Sequence, residues 1–170
     1  MATLVLEDGS GLSNSNSYAS VAEADAILDP QNNTTTWDAL DDATKSNLLI
    51  WSTRLLDQHL RWTGTRATED QALRWPRYGV YDRDGYQYDS DIVPQPVKDA
   101  TAELARYLAS EDRTVEDETR GYRRLKAGSV EMEIDRLDRT KVLPDSVLAI
   151  VGWLGEAVEQ QGRFARLVRT

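Results

Sequence analysis

The chain has 170 residues, 40% apolar and 29% charged, with no cysteine and a net charge of −9. That composition suits one folded domain with its own core, and it excludes disulfide frameworks, thiol nucleophiles and cysteine-ligated metals. The acidic balance argues against a broad cationic face for nucleic acid, because such affinity comes from Lys and Arg that displace counterions, but it leaves room for a local basic patch.

No stretch approaches the roughly 18 apolar residues of a membrane span, and Met1–Ser10 lacks the pattern of a signal peptide. Residues 1–19 read as an N-terminal arm, with turn chemistry from Glu7 to Ser17. Ser20 and Glu23 form a capping box, so a first helix starts there; Pro30 and the polar run Gln31–Thr36 end it. A second helix is expected from about Asp41 to Arg61, with Leu48, Leu49, Ser52, Leu55, Leu56 and Leu60 on one stripe. Its length makes it the expected central helix. Residues 62–92 read as an irregular loop punctuated by Gly64, Pro76, Gly79 and Gly85, with room for a short helix at Thr68–Leu73.

Pro94 and Pro96 precede a third helix that ends near Ser110. Val97, Ala100, Leu104, Tyr107 and Leu108 line its inner face, and Lys98, Asp99, Glu103 and Arg106 its outer face. Val130–Asp135 alternates apolar and acidic residues, the period of a half-buried strand. With Tyr122–Lys126 it forms a hairpin over 120–135, in which a two-residue loop sets Leu125 opposite Val130 and Arg124 opposite Glu131. A fourth helix is expected over 144–155, followed by a basic tail over 156–170. The fold class is therefore mainly α: one domain with a compact bundle of about four helices, a small β-hairpin and extended arms at both ends.

No constellation for catalysis stands out. His59 is a lone helix-end histidine without an oriented partner. The acidic run Asp82–Asp91 lacks the register of a calcium loop and reads as a solvated turn around Asp84-Gly85. The densest chemistry is an aromatic and basic cluster: Arg61, Trp62, Arg66, Arg74, Trp75, Arg77, Tyr78, Tyr81, Arg83, Tyr86 and Tyr88. Such a mixture can grip single strands, form a protein–protein hot spot, or supply core tryptophans with cation–π partners. The net charge favours the interface. No cofactor and no metal site are expected.

The ordered motifs resemble a phage family. They are Asp8-Gly9-Ser10-Gly11-Leu12, Asn16-Ser17-Tyr18, Ser20 through Asp25, Gln71-Ala72-Leu73-Arg74-Trp75-Pro76-Arg77, Asp84-Gly85, Ile92-Val93-Pro94, Val97-Lys98 with Ala100, Glu103-Leu104-Ala105, and the hairpin from Tyr122 to Ile134. In order and spacing they are similar to head-to-tail connector (adaptor, head-completion) proteins of tailed bacteriophages, over Asp8 to about Asp135. Members of the same group are also labelled DnaT-like single-stranded DNA-binding proteins, which is the rival reading. An enzyme subunit, a third reading, lacks a visible active site.

The resemblance implies a structural virion protein in the neck, met in the host cytoplasm during assembly. It implies a homo-oligomeric ring, dodecameric in the family pattern, beneath the portal protein and above a stopper or tail-completion protein, with DNA passing through the lumen and no membrane. It also implies portal docking through the C-terminal segment, here Arg163, Phe164, Arg166, Leu167, Val168 and Arg169. A ring needs two different surfaces on each subunit. The basic loop, with Trp62, Arg66, Trp75, Arg77 and Tyr81, and the hairpin, with Arg124, Val130, Glu131, Met132 and Glu133, are the candidate complementary pair.

Overall fold

The computed structural model describes residues 2–115, 124–127, 130–133 and 141–158. Within them the chain is mainly helical, with five helices and three two-stranded antiparallel pairs. Helix α1 (Val21–Leu28) starts at Ser20, whose side chain accepts from the Glu23 amide while Glu23 reaches back to the Ser20 amide, so the expected capping box forms. A four-residue helix, α2 (Thr35–Asp38), follows where only a polar terminator was expected. It is anchored by Trp37, which is fully buried. Helix α3 (Asp42–His59) is capped by Asp41, whose carboxylate accepts from the Thr44 amide at 2.6 Å.

Helix α4 (Gln95–Ser110) begins directly after Pro94, as expected. It, and not α3, is the centre of the fold, because it packs against α1, α2, α3 and α5 (Asp145–Val151). Val97, Ala100, Leu104 and Leu108 join one apolar core with Leu55, Leu56, Val147 and Val151. Ala102 and Ala105 join a second core with Leu28, Trp37 and Leu49. A helix buried on two sides cannot keep a conventional polar face, and Glu103 and Arg106, read as outward from their spacing, are buried. They are tolerated because they pair with each other at 2.6 Å, and Arg106 also donates to the Asn33 carbonyl.

The strands are short. β1 (Leu60–Trp62) pairs with β6 (Gly155–Ala157), with Arg61 opposite Glu156 and Trp62 opposite Gly155. The expected fourth helix over 144–155 therefore stops at Val151. A side chain at Gly155 would press on the Arg61 carbonyl and the Trp62 backbone at 3.0–3.2 Å, so glycine permits this close strand pairing. β2 (Thr65–Arg66) pairs with β3 (Arg77–Tyr78), and the expected helix at Thr68–Leu73 does not form. Backbone and side chains in that segment are instead tied by Gln71, which accepts from the Thr68 amide and donates to the Leu73 and Pro76 carbonyls. The Trp75–Pro76 peptide is cis.

β4 (Arg124–Ala127) and β5 (Val130–Glu133) form the expected hairpin, shifted in register. The pairs are Arg124–Glu133, Leu125–Met132, Lys126–Glu131 and Ala127–Val130, not Leu125–Val130 and Arg124–Glu131. Two residues, 128 and 129, lie between the paired ends. This register still sets basic against acidic and apolar against apolar residue types.

The N-terminal segment is folded onto the body, not extended as an arm. Leu6 bridges Ser17, and Glu7, Ser15, Ser17 and Tyr18 are buried. The Asp8-Gly9-Ser10-Gly11-Leu12 motif has a physical reason. With Gly9 and Gly11 at positive φ, the backbone curls so that the Glu7 carboxylate accepts from the amides of Gly9, Gly11 and Leu12 and from the Ser15 hydroxyl, at 2.7–3.0 Å. A side chain at Gly9 would also strike the Asp91 carbonyl.

Candidate nucleic-acid interface

The aromatic and basic cluster divides into an inside and an outside. Trp62 and Trp75 are core residues, as are the aliphatic part and head of Arg77. The Arg77 guanidinium donates to the carbonyls of Trp62, Thr63, Gly64 and Arg74, fastening the turn after β1 to the segment before β3. Burial holds its pKa below the usual arginine value. These three residues, expected at an interface between subunits, build the chain's own interior.

Outside, three arginines of the cluster are joined by Arg54 of α3. Arg54, Arg61, Arg66 and Arg74 are all exposed. They rim two adjoining concavities on one side of the molecule. One, of about 460 Å³, is lined by Arg54, Asp57, Gln58, Arg66, Leu73 and Arg74, with Ser15 and Asn16 of the N-terminal segment as a wall. The other, of about 310 Å³, is lined by Asp57, Gln58, Arg61, Trp62, Arg74 and Arg77. Asp57, Gln58 and Arg74 belong to both, so the two form one trough with Arg74 at its waist. Among the described residues none of the four rim arginines makes a side-chain ion pair.

Helix geometry explains the line of groups along one edge. Arg54 and Gln58 are four residues apart on the exposed side of α3, Trp51 lies one turn before them, and Arg61 continues the line into β1. The Trp51 indole is partly exposed, with the Arg54 guanidinium over its ring at 5.6 Å. Trp51, Arg54 and Gln58 were missed in the sequence because α3 was read for its apolar stripe. The signal was the 51–54–58–61 spacing of the opposite face.

Beneath the waist sits a polar hub. The Tyr18 hydroxyl lies 2.8 and 2.9 Å from the two Asp57 carboxylate oxygens and donates to the carboxylate. It also accepts from the Arg74 and Trp75 amides at 3.0 and 3.2 Å. Asp57 accepts in addition from the Trp62 indole at 2.9 Å and the Arg74 amide at 3.1 Å. Burial raises the Asp57 pKa above the ordinary carboxylate value, outweighing these hydrogen bonds. Burial, and then the charge of Asp57, push the Tyr18 hydroxyl well up.

The remaining candidates are scattered. Tyr78, Tyr81 and Tyr86 are exposed, while Tyr88 packs against the core. Arg83 lies over the Trp153 ring at 4.0 Å and donates to the Ala149 carbonyl, so it pins its loop to α5. Asp82 caps the turn at 82–87 by accepting from the Asp84 and Tyr86 amides, which commits that carboxylate locally. His59 is half-buried beside an apolar concavity with Val142, Leu143 and Leu148, and desolvation lowers its pKa. Arg124, Val130, Glu131, Met132 and Glu133 are placed only as hairpin backbone. The tail residues Arg163, Phe164, Arg166, Leu167, Val168 and Arg169 lie outside the described residues. No helix among the described residues is long and apolar enough to cross a membrane.

Comparison with known families gives one finding. A family model described as "Putative DnaT-like ssDNA binding protein" matches residues 2–170. No curated protein matches, and no solved structure matches.

Proposed function

The chain belongs to this DnaT-like family, and on that premise we propose that it is a non-catalytic binding protein whose arginine-rimmed trough holds single-stranded DNA by its phosphates. The observation that carries the reading is the trough itself: Arg54, Arg61, Arg66 and Arg74 converge on adjoining concavities, and the Arg54 guanidinium in turn lies over the exposed Trp51 ring. Guanidinium groups suit phosphate oxygens geometrically, and an indole face accepts any base.

Base reading has little support. The Asn16 side chain is occupied by the Val5 amide and the Thr3 carbonyl, and the Ser15 hydroxyl by Glu7 and Leu12. The binding is therefore of the sequence-tolerant kind. A flexible strand can bend into so short a trough, whereas a duplex presents a stiff rod to an otherwise acidic molecule. The test compares single- and double-stranded oligonucleotides of equal length by fluorescence anisotropy at low salt. Preference for the single strand, with Trp51→Ala weakening it about tenfold, is the expected outcome. Equal or absent binding would overturn the reading.

A second reading, the head-to-tail adaptor of a tailed phage, is favoured by two observations. The net charge of −9 would make a repelling lumen if copies closed a ring around DNA. Among the described residues strands β4 and β5 pair only with each other, and an isolated hairpin gains stability by packing on another surface. In that reading the partners are the portal protein and a stopper, and the trough is a contact surface in the neck. Co-sedimentation with portal protein, without oligonucleotide binding, would replace the first reading by the second.

A further inference from the structure

The trough's waist is not held by its own segment. Arg74 lies in an irregular stretch between β2 and β3, and its amide is fixed from across the chain by two groups, the Tyr18 hydroxyl at 3.0 Å and Asp57 at 3.1 Å. The neighbouring Trp75 amide has the same Tyr18 acceptor. Tyr18 is itself fully buried, and its amide donates to the Thr53 hydroxyl of α3. From the same N-terminal segment, Ser15 and Asn16 form a wall of the larger concavity. One hydroxyl therefore joins three parts of the site: the N-terminal wall, the α3 edge carrying Arg54 and Gln58, and the segment carrying Arg74.

We propose that Tyr18 is a positioning residue for nucleic-acid binding, its hydroxyl setting Arg74 at the waist of the trough so that the arginines on both sides can engage one strand together. The inference rests on the proposed single-stranded DNA reading. Its physical basis is preorganisation. An arginine already held in place loses less conformational freedom on binding than one on a loose segment. Tyr18 does not touch the ligand. Its effect passes through Arg74, so the two residues should behave as one unit when both are changed.

The experiment measures affinity of the full chain for a fluorescent oligo-dT across a salt series, for wild type, Tyr18→Phe, Arg74→Ala and the double variant. Tyr18→Phe keeps the ring and removes only the hydroxyl. The expected result is about fivefold weaker binding, the size of one hydrogen bond's net contribution, with a shallower salt slope. Arg74→Ala should add little in the Tyr18→Phe background. Thr53→Val, which releases the Tyr18 amide but leaves its hydroxyl, is the structural control. It should lower stability while leaving the salt slope unchanged.

A measurement on the wild-type chain covers the case in which Tyr18→Phe does not fold. The Arg74 and Trp75 amide hydrogens should exchange more slowly when oligo-dT is bound, because ligand and hydrogen bond favour the same arrangement. Wild-type affinity and slope in folded Tyr18→Phe, fully additive losses, or amide exchange unchanged by ligand would each overturn the inference alone. Failure of the wild-type chain to bind would overturn it together with the function on which it rests.

Discussion

Trp62 and Trp75 meet edge to face in the core, with ring centroids 5.7 Å apart and planes at 78°. This arrangement is favourable because the electropositive edge of one ring faces the electron-rich face of the other. It also decides what the aromatic loop is for. Two of its tryptophans close the interior over α3 and α4, and only its outer arginines and tyrosines remain for partners. Trp75→Ala should destabilise the chain by about 3–5 kcal/mol, the usual cost of emptying a buried aromatic site. Chemical denaturation would measure it, and a loss under about 1 kcal/mol would contradict this placement.

Glu7 is a carboxylate enclosed by donors: three amides and one hydroxyl. Glu7→Gln preserves the shape but turns an amide group toward hydrogen-bond donors, leaving a buried polar contact broken. A loss of roughly 2–3 kcal/mol in urea unfolding is expected. Because Ser15 and Asn16 wall the trough, the variant should also weaken oligonucleotide binding. Unchanged stability would show that the loop around Gly9 and Gly11 holds without its central anion.

Glu103 and Arg106 form an ion pair inside the bundle, with about a tenth of each side chain exposed. Removing either alone strands the other charge, so Glu103→Leu or Arg106→Leu should each cost about 3–5 kcal/mol. Replacing both with apolar residues should cost much less than the sum, since no unpaired charge remains. Thermal unfolding of the two single variants and the double variant measures the difference. Additive losses would contradict the pairing.

The acid response contains opposing parts. For Glu23 and Asp25, burial alone would raise the pKa, but hydrogen bonds and charges from Lys98 with Ser20, and from Lys45 with Trp37, outweigh it and lower both. Their stabilisation is present above the unfolded carboxylate pKa and is lost as pH falls through their lower folded values. Asp57 works in the other direction. Its folded pKa is raised by burial, so its charge opposes folding at neutral pH, and that penalty fades as pH falls through the folded pKa to the ordinary value. Asp57→Asn should therefore show a steeper loss of stability on acidification than wild type. Parallel pH profiles would contradict the raised pKa.

Local signals were legible in the sequence where one short segment contained both cause and effect. The Ser20–Glu23 box, the Asp41 start of α3 and the Pro94 start of α4 all read correctly because caps and prolines act within a turn. Long-range effects did not read. β1 and β6 pair across more than ninety residues, and nothing near Gly155 announces Trp62 as its neighbour. Trp37 anchors α2 by packing, in a segment too short for any periodicity. Glu103 and Arg106 have the spacing of a solvated face, and only the helices around α4 bury them. The Arg and Trp residues of the loop have the same composition whether they face in or out, so the division between Arg77, which staples carbonyls, and Arg74, which rims the trough, required the fold.

The most direct test of the account is the salt dependence of oligo-dT binding for the wild-type chain and for single Arg54→Ala, Arg61→Ala, Arg66→Ala and Arg74→Ala variants. Four phosphate contacts predict a slope of log K against log salt of about −3, from roughly 0.7 per contact on a single strand, with each variant shallower by about 0.7. Binding that persists with the wild-type slope after these arginines are removed, or no binding by the wild-type chain at low salt, would contradict it.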